Sequence, residues 1–187
     1  MATAYKLFAV NKKNRGKLFP LYINTNFPTP MGEWVEAESG TLIHGKVKSK
    51  LGLLCYRPGW HLSDMPIATH MGIKDESGKI AYMRPDVVWC EYEYSDAINY
   101  QTEANRNGTI NNKLISKLAY LKHIPYNGFY KYKTNPNMLG EWILAGAIKV
   151  KRVLEDNEVN DILIKNNISP MERYGGEINL NEYGFDI

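Results

Sequence analysis

A chain of 187 residues with 44% hydrophobic and 23% charged side chains has the size and balance of one globular domain with a core of its own. Its net charge of +3 is too small to make nucleic-acid binding the default, and no apolar run is long enough to cross a bilayer. Residues 1–6 lack the apolar segment of a secretory signal, so a soluble protein that is not exported is expected.

Thirteen tyrosines and four tryptophans favour pleated sheet, on which flat rings pack well. Residues 5–10 and 18–23 read as two strands joined by the basic turn 11–17, an N-terminal hairpin. Residues 32–37 read as a helical turn carrying Trp34. The alternation Lys46-Val-Lys-Ser-Lys50 predicts an exposed edge strand whose lysines discourage pairing with another chain. The short apolar run 51–55 stops ahead of Pro58-Gly59, which predicts a buried strand and a turn. Residues 60–63 read as a second extended piece. Asp64 is placed to cap a short helix in which Pro66 is tolerated, Ile67, Ala68 and Met71 share a face, and Gly72 ends the turn.

Downstream, Asp75-Glu-Ser-Gly78 signals a turn, with strands over 79–83 and 87–94. A short helix is predicted over 99–105 and a loop at Asn107-Gly108 and Asn111-Asn112, while residues 115–123 fit helix or strand, with helix preferred. Residues 129–133 alternate aromatic with lysine and read as a strand. The apolar segment 141–153 reads as two strands broken near Gly146. Val159, Ile162 and Leu163 have helical spacing, which predicts a helix over 157–166 capped by Asp156. Residues 171–187 read as an acidic tail on a core of 1–170. Strands and helices do not alternate, so the expected class is α+β: a single domain with a bent, mainly antiparallel sheet and few short helices.

Charge is unevenly spread. Up to Trp60 nine basic residues face three acidic ones, and between Asp86 and Glu103 every charged side chain is acidic. Such a chain can steer an anionic ligand to one side, although solvated faces of an ordinary domain give the same pattern. Cys55 and Cys90 each lie in an apolar run, which predicts buried free thiols and a reducing compartment. His44, His61, His70 and His123 lack metal-ligand spacing, and no Walker loop or Gly-x-Gly-x-x-Gly occurs. The strand Phe129-Tyr-Lys-Tyr-Lys133 could stack bases and meet phosphates, or simply be half exposed. Glu91 and Glu93 share a strand face, where repulsion could raise one pKa or water could solvate both. Glu141 stands at the mouth of a buried strand. Arg57, His61, Ser63 and Asp64 crowd one strand–helix junction, a geometry suited to a ligand.

Two resemblances rest on these residues. Lys48-Ser-Lys-Leu-Gly52, Tyr56-Arg-Pro-Gly-Trp-His-Leu-Ser-Asp64, Tyr130-Lys-Tyr-Lys-Thr-Asn-Pro-Asn-Met138 and Ala145-Gly-Ala-Ile-Lys-Val-Lys-Arg-Val-Leu154 resemble a domain recurrent in phages and mobile elements of gut bacteria. Similar segments occur in polyvalent phage proteins injected with the genome. That resemblance implies an accessory protein of host takeover or anti-defence, working in the host cytoplasm or packaged in the virion, on a host protein or nucleic acid. More loosely, Gly59-Trp-His-Leu-Ser-Asp64 and Glu141-Trp-Ile-Leu-Ala-Gly-Ala-Ile148 resemble strands of ADP-ribosyltransferase-like domains. This implies NAD as cofactor, with Glu141 and His61 as the catalytic pair and Arg57, Tyr56, Trp60 and Ser63 holding the dinucleotide. The first strand lacks the histidine or arginine of that family, and its Ser-Thr-Ser is absent. The alternatives are a non-catalytic binder that sequesters a host defence protein or a nucleotide signal, and a virion-packaged structural or cargo protein.

Overall fold

The run Val87-Val-Trp-Cys-Glu-Tyr-Glu-Tyr94 forms a strand along its whole length and lies deep in the main sheet. In the computed structural model, which describes residues 1–187, the strands in chain order are β1 (Ala2–Ala9), β2 (Trp34–Glu36), β3 (Leu42–Ile43), β4 (Lys46–Ser49), β5 (Gly52–Cys55), β6 (Trp60–Ser63), β7 (Ile73–Lys74), β8 (Ile80–Ala81), β9 (Val87–Tyr94), β10 (Ile98–Asn99), β11 (Thr109–Ile110), β12 (Lys113–Leu114), β13 (Gly128–Tyr132), β14 (Trp142–Ala145) and β15 (Ala147–Val153). Two short helices, α1 (Gln101–Asn107) and α2 (Asp156–Lys165), complete an α+β chain.

Eight strands form one mixed sheet in the order β10-β13-β14-β6-β1-β9-β15-β2, antiparallel throughout except for β10 against β13. Its bend follows from one connection. β14 and β15 are separated in the sheet by β6, β1 and β9, yet only Gly146 joins them in the chain. The sheet must therefore curl until its two halves nearly meet. Gly146 allows that corner because a Cβ there would stand 1.9 Å from the Pro125 carbonyl oxygen.

Strand alternation sorts the side chains. Phe8, Leu62, Tyr92, Phe129, Ile143 and Ile148 fill the concave side. On the other side α2 lays Val159 and Leu163 against Trp89 and Leu154, while Ala104 of α1 packs with Tyr130, Tyr132 and Leu144. Burial pushes the Cys90 thiol well above its ordinary pKa, leaving an inert core group.

Several local expectations are overturned by long-range pairing. Residues 18–23 do not form a strand: β1 pairs with β9, and only a bridge ties Ala9 to Phe19. Residues 34–36 are strand rather than helix because β15 offers them a ladder. The lysine-rich β4 is the middle, not the edge, of a small sheet β3-β4-β5. Its neighbour β5 is not buried: Leu53 is 48% exposed, and Cys55 is exposed too. Residues 65–72 hold only a single 3-10 turn, and Asp64 caps nothing. Residues 115–123 likewise hold one 3-10 turn. Asn111 and Asn112, both at positive φ, form the tight turn of the β11–β12 hairpin. At the start of α2, Glu158 rather than Asp156 turns back, accepting from the Glu155 N–H at 2.9 Å. Residues 171–187, read as a tail, pack Met171, Leu180 and Phe185 into the core clusters.

Candidate functional site

One register pair, Tyr5↔Ser63, is all that joins β1 to β6. On its other flank β6 pairs with β14 through all four of its residues. The two halves of the sheet therefore splay apart beyond Ser63, and a cavity of about 900 Å³ opens in the gap. Segments from 20–24, 35–39, 54–61 and 123–126 wall it. That volume is in the range of small-molecule sites, roughly 300–1,000 Å³.

Tyr56, Arg57, Trp60, His61 and Ser63 all line this cavity. Glu141 does not. It sits just before β14, where its N–H donates to Asp64 Oδ1 at 2.9 Å and its carbonyl accepts from the Asp64 N–H at 3.2 Å. Asp64 is thus a clamp between the ends of β6 and β14. The pairing of Glu141 with His61 across one ligand is not what the strand register produces.

The Pro58-Gly59 turn sets the remaining geometry. Gly59 has φ +117°, a conformation other residues rarely adopt, and a Cβ there would also meet Ile124 Cδ1 at 2.8 Å and the Ala145 carbonyl oxygen at 3.3 Å. Before the turn, the Arg57 guanidinium lies over the Tyr132 ring, 4.0 Å from its centroid, and donates to the Lys117 carbonyl at 2.7 Å. After it, Trp60 donates from Nε1 to the Val35 carbonyl at 3.0 Å, which ties β6 to β2 across the curl. The His61 ring stands edge-on to Tyr132 at 6.5 Å.

Lys6, which no sequence pattern marks, completes the wall. Its Nζ donates to the His61 carbonyl at 2.9 Å, in the gap where the β1–β6 ladder is absent, and lies 5.9 Å from the Trp60 ring centroid. Burial lowers its pKa to about 8, although the cavity leaves its flank reachable. His61 is affected more. Burial first, then the nearby charges of Lys6 and Arg57, depress its pKa to about 3, against a smaller opposing hydrogen bond with the Gly59 backbone. The imidazole is therefore neutral near pH 7, a poor proton donor and a weak base there.

The acids on the wall are Glu36 and Glu38, both exposed. Glu91 and Glu93 lie elsewhere on the sheet, paired with Lys151 and Arg152. His70 stands edge-on to Trp142 at 5.8 Å, and both reach the cavity. The result is a pocket of rings whose wall carries two cations, two exposed carboxylates and a neutral histidine. Lys6 and Arg57, each beside a ring, can meet the anionic group of a flat molecule. Comparison with protein families, with curated proteins and with solved structures finds no match to this chain.

The His61 shift has a measurable consequence. Its pKa is lower folded than unfolded, so the unfolded chain binds the extra proton, and the stability due to neutral His61 is full above about pH 6.5. It is lost as pH falls toward about 3. In urea titrations at stepped pH, His61→Gln is expected to flatten the stability profile between those limits. An unchanged slope would place the acid sensitivity on other groups.

Proposed function

We propose that this chain is a binding protein for a ring-bearing anionic molecule of the nucleotide class, and that NAD is one such ligand. The observation that carries the reading is Arg57. Its planar fork, held by stacking on Tyr132 and by one bond to Lys117, retains further donors on the cavity wall beside Tyr56 and Trp60. In the phage setting that the sequence resemblance implies, such a pocket suits sequestration of a host nucleotide signal.

The test is calorimetric titration with NAD and with mononucleotides. Arg57→Ala is expected to weaken binding by roughly 10- to 100-fold, the value of one or two charge-assisted hydrogen bonds. Glu141→Gln is expected to leave affinity unchanged. Wild-type protein that takes up no nucleotide at millimolar concentration, or an Arg57→Ala variant that binds as tightly as wild type, sinks the reading.

A second reading adds catalysis: transfer of ADP-ribose from NAD to a host macromolecule. It is favoured by Glu36 and Glu38, which supply carboxylates to the cavity wall where Glu141 does not. Incubation with labelled NAD and bacterial lysate separates the two. Label on a lysate component, or release of nicotinamide, that disappears in Glu36→Gln or Glu38→Gln supports transfer. Binding without either product supports the first reading.

A further inference from the structure

The formal charge of +3 hides a division within the molecule. Residues 39–63 and 104–140 carry ten basic and no acidic side chains, leaving thirteen basic against twenty acidic in the rest of the chain. These two segments are adjacent. They meet where Arg57 donates to the Lys117 carbonyl and stacks on Tyr132, and Lys133 joins the same corner through its N–H bond to Ser116 Oγ at 2.9 Å.

From Arg57 the basic surface continues along the small sheet. Cys55 of β5 pairs with Lys46 of β4, Lys48 follows on the same face, and both lysines are exposed. Strand rise spaces them by about 7 Å along a line. Lys50 comes next, and together with Lys17, Asn11, Asn14 and Thr25 it borders a shallow polar depression that contains no acid. The lysines are thus arranged as a track on the face of the small sheet opposite Val47 and Leu54, which line the cavity, and the chain leads from the Cys55 end of that track to Arg57 on the cavity wall. None of Lys46, Lys48 and Lys50 has an ion-pair partner. Their charge is available to a polyanion.

We infer that the partner is a single-stranded nucleic acid, its backbone following Lys46, Lys48 and Lys50 while one unpaired base enters the aromatic cavity beside Arg57. This rests on the nucleotide reading of the cavity and extends it from a small molecule to a polymer. Unpaired bases stack on aromatic side chains irrespective of sequence, and lysines meet phosphates without reading bases. A duplex offers the same phosphates but no free ring for the cavity. The exposed Ile43 and Leu53, paired across from Lys46 and Lys48, make an anionic lipid surface the natural competitor.

The experiment measures fluorescence anisotropy of labelled oligonucleotides against salt, for wild type and for a Lys46→Ala/Lys48→Ala variant. Both lysines are exposed, so the variant is expected to fold as wild type does, which its melting curve checks. A twelve-nucleotide single strand should bind at least tenfold more tightly than a mononucleotide and more tightly than a duplex of equal length. The double variant should lower the slope of log affinity against log salt by about 1.4, since each single-strand phosphate contact contributes about 0.7. Its mononucleotide affinity should stay at the wild-type value. An oligonucleotide bound no better than a mononucleotide, or a slope that ignores the two lysines, overturns the track while leaving the pocket standing. Lysine-dependent oligonucleotide binding with no mononucleotide uptake does the reverse. Capture by phosphatidylserine vesicles that displaces the oligonucleotide overturns the inference in favour of a lipid surface.

Discussion

Asp156→Ala is expected to destabilise the fold by about 3–5 kcal/mol, read as a lowered urea midpoint at unchanged slope. Asp156 and Arg173 are both buried, and the guanidinium meets the two carboxylate oxygens at 2.8 Å each. Arg173 also donates to the Val87 carbonyl at 2.7 Å and to the Arg84 carbonyl. Truncating Asp156 leaves that cation buried with only carbonyls to meet it. Removing both charges is expected to recover most of the loss, because the apolar pair Asp156→Leu/Arg173→Met carries no uncompensated ion. A double variant as unstable as Asp156→Ala would show that the carbonyl bonds of Arg173, rather than the ion pair, hold this corner. The pair fastens residues 171–187 to the start of α2, beside the Arg173 bond to the Val87 carbonyl of β9, so its loss should also expose this segment to protease.

Gly146→Ala is the second large effect. A Cβ at this position meets the Pro125 carbonyl oxygen at 1.9 Å and the Tyr126 nitrogen at 3.0 Å, both backbone atoms that cannot turn aside. Relief requires the 123–126 segment to move, at a cost at or above the roughly 1–3 kcal/mol of ordinary overpacking. That segment is a wall of the cavity, since Ile124 and Tyr126 line it. The variant should therefore lose melting temperature and nucleotide affinity together. A variant that loses stability but binds normally would separate the corner from the pocket. The Ala145-Gly-Ala147 junction is then a structural hinge of the curl and only indirectly a part of the site.

The residues that determine the site differ in how visible they were. Tyr56, Arg57, Trp60, His61 and Ser63 stand out in the sequence because a Pro-Gly turn gathers them locally. Lys6 is invisible there: it becomes a wall residue only because β1 and β6 part after a single pairing. Glu141 attracts attention for its position before an apolar strand, yet the reciprocal bonds with Asp64 fix its backbone outside the cavity lining. Glu36 is hidden by a helical reading of residues 32–37, which only the distant ladder with β15 corrects.

What the sequence by itself determined is what depends on neighbours in the chain. The alternating aromatic run 87–94, the break at Gly146, the turn at 75–78 and the helical spacing of Val159, Ile162 and Leu163 each reflect backbone preference and side-chain period, and the strands and helices formed there. The α+β class follows from their order. Burial of β5, by contrast, was inferred from composition. Tertiary structure placed it at the edge of a small outlying sheet, with Leu53 in solvent. The curl, the splayed seam and the cavity also belong to tertiary structure. Each depends on which strands find one another across dozens of residues, and pairing energy over such distances leaves no local mark in the chain.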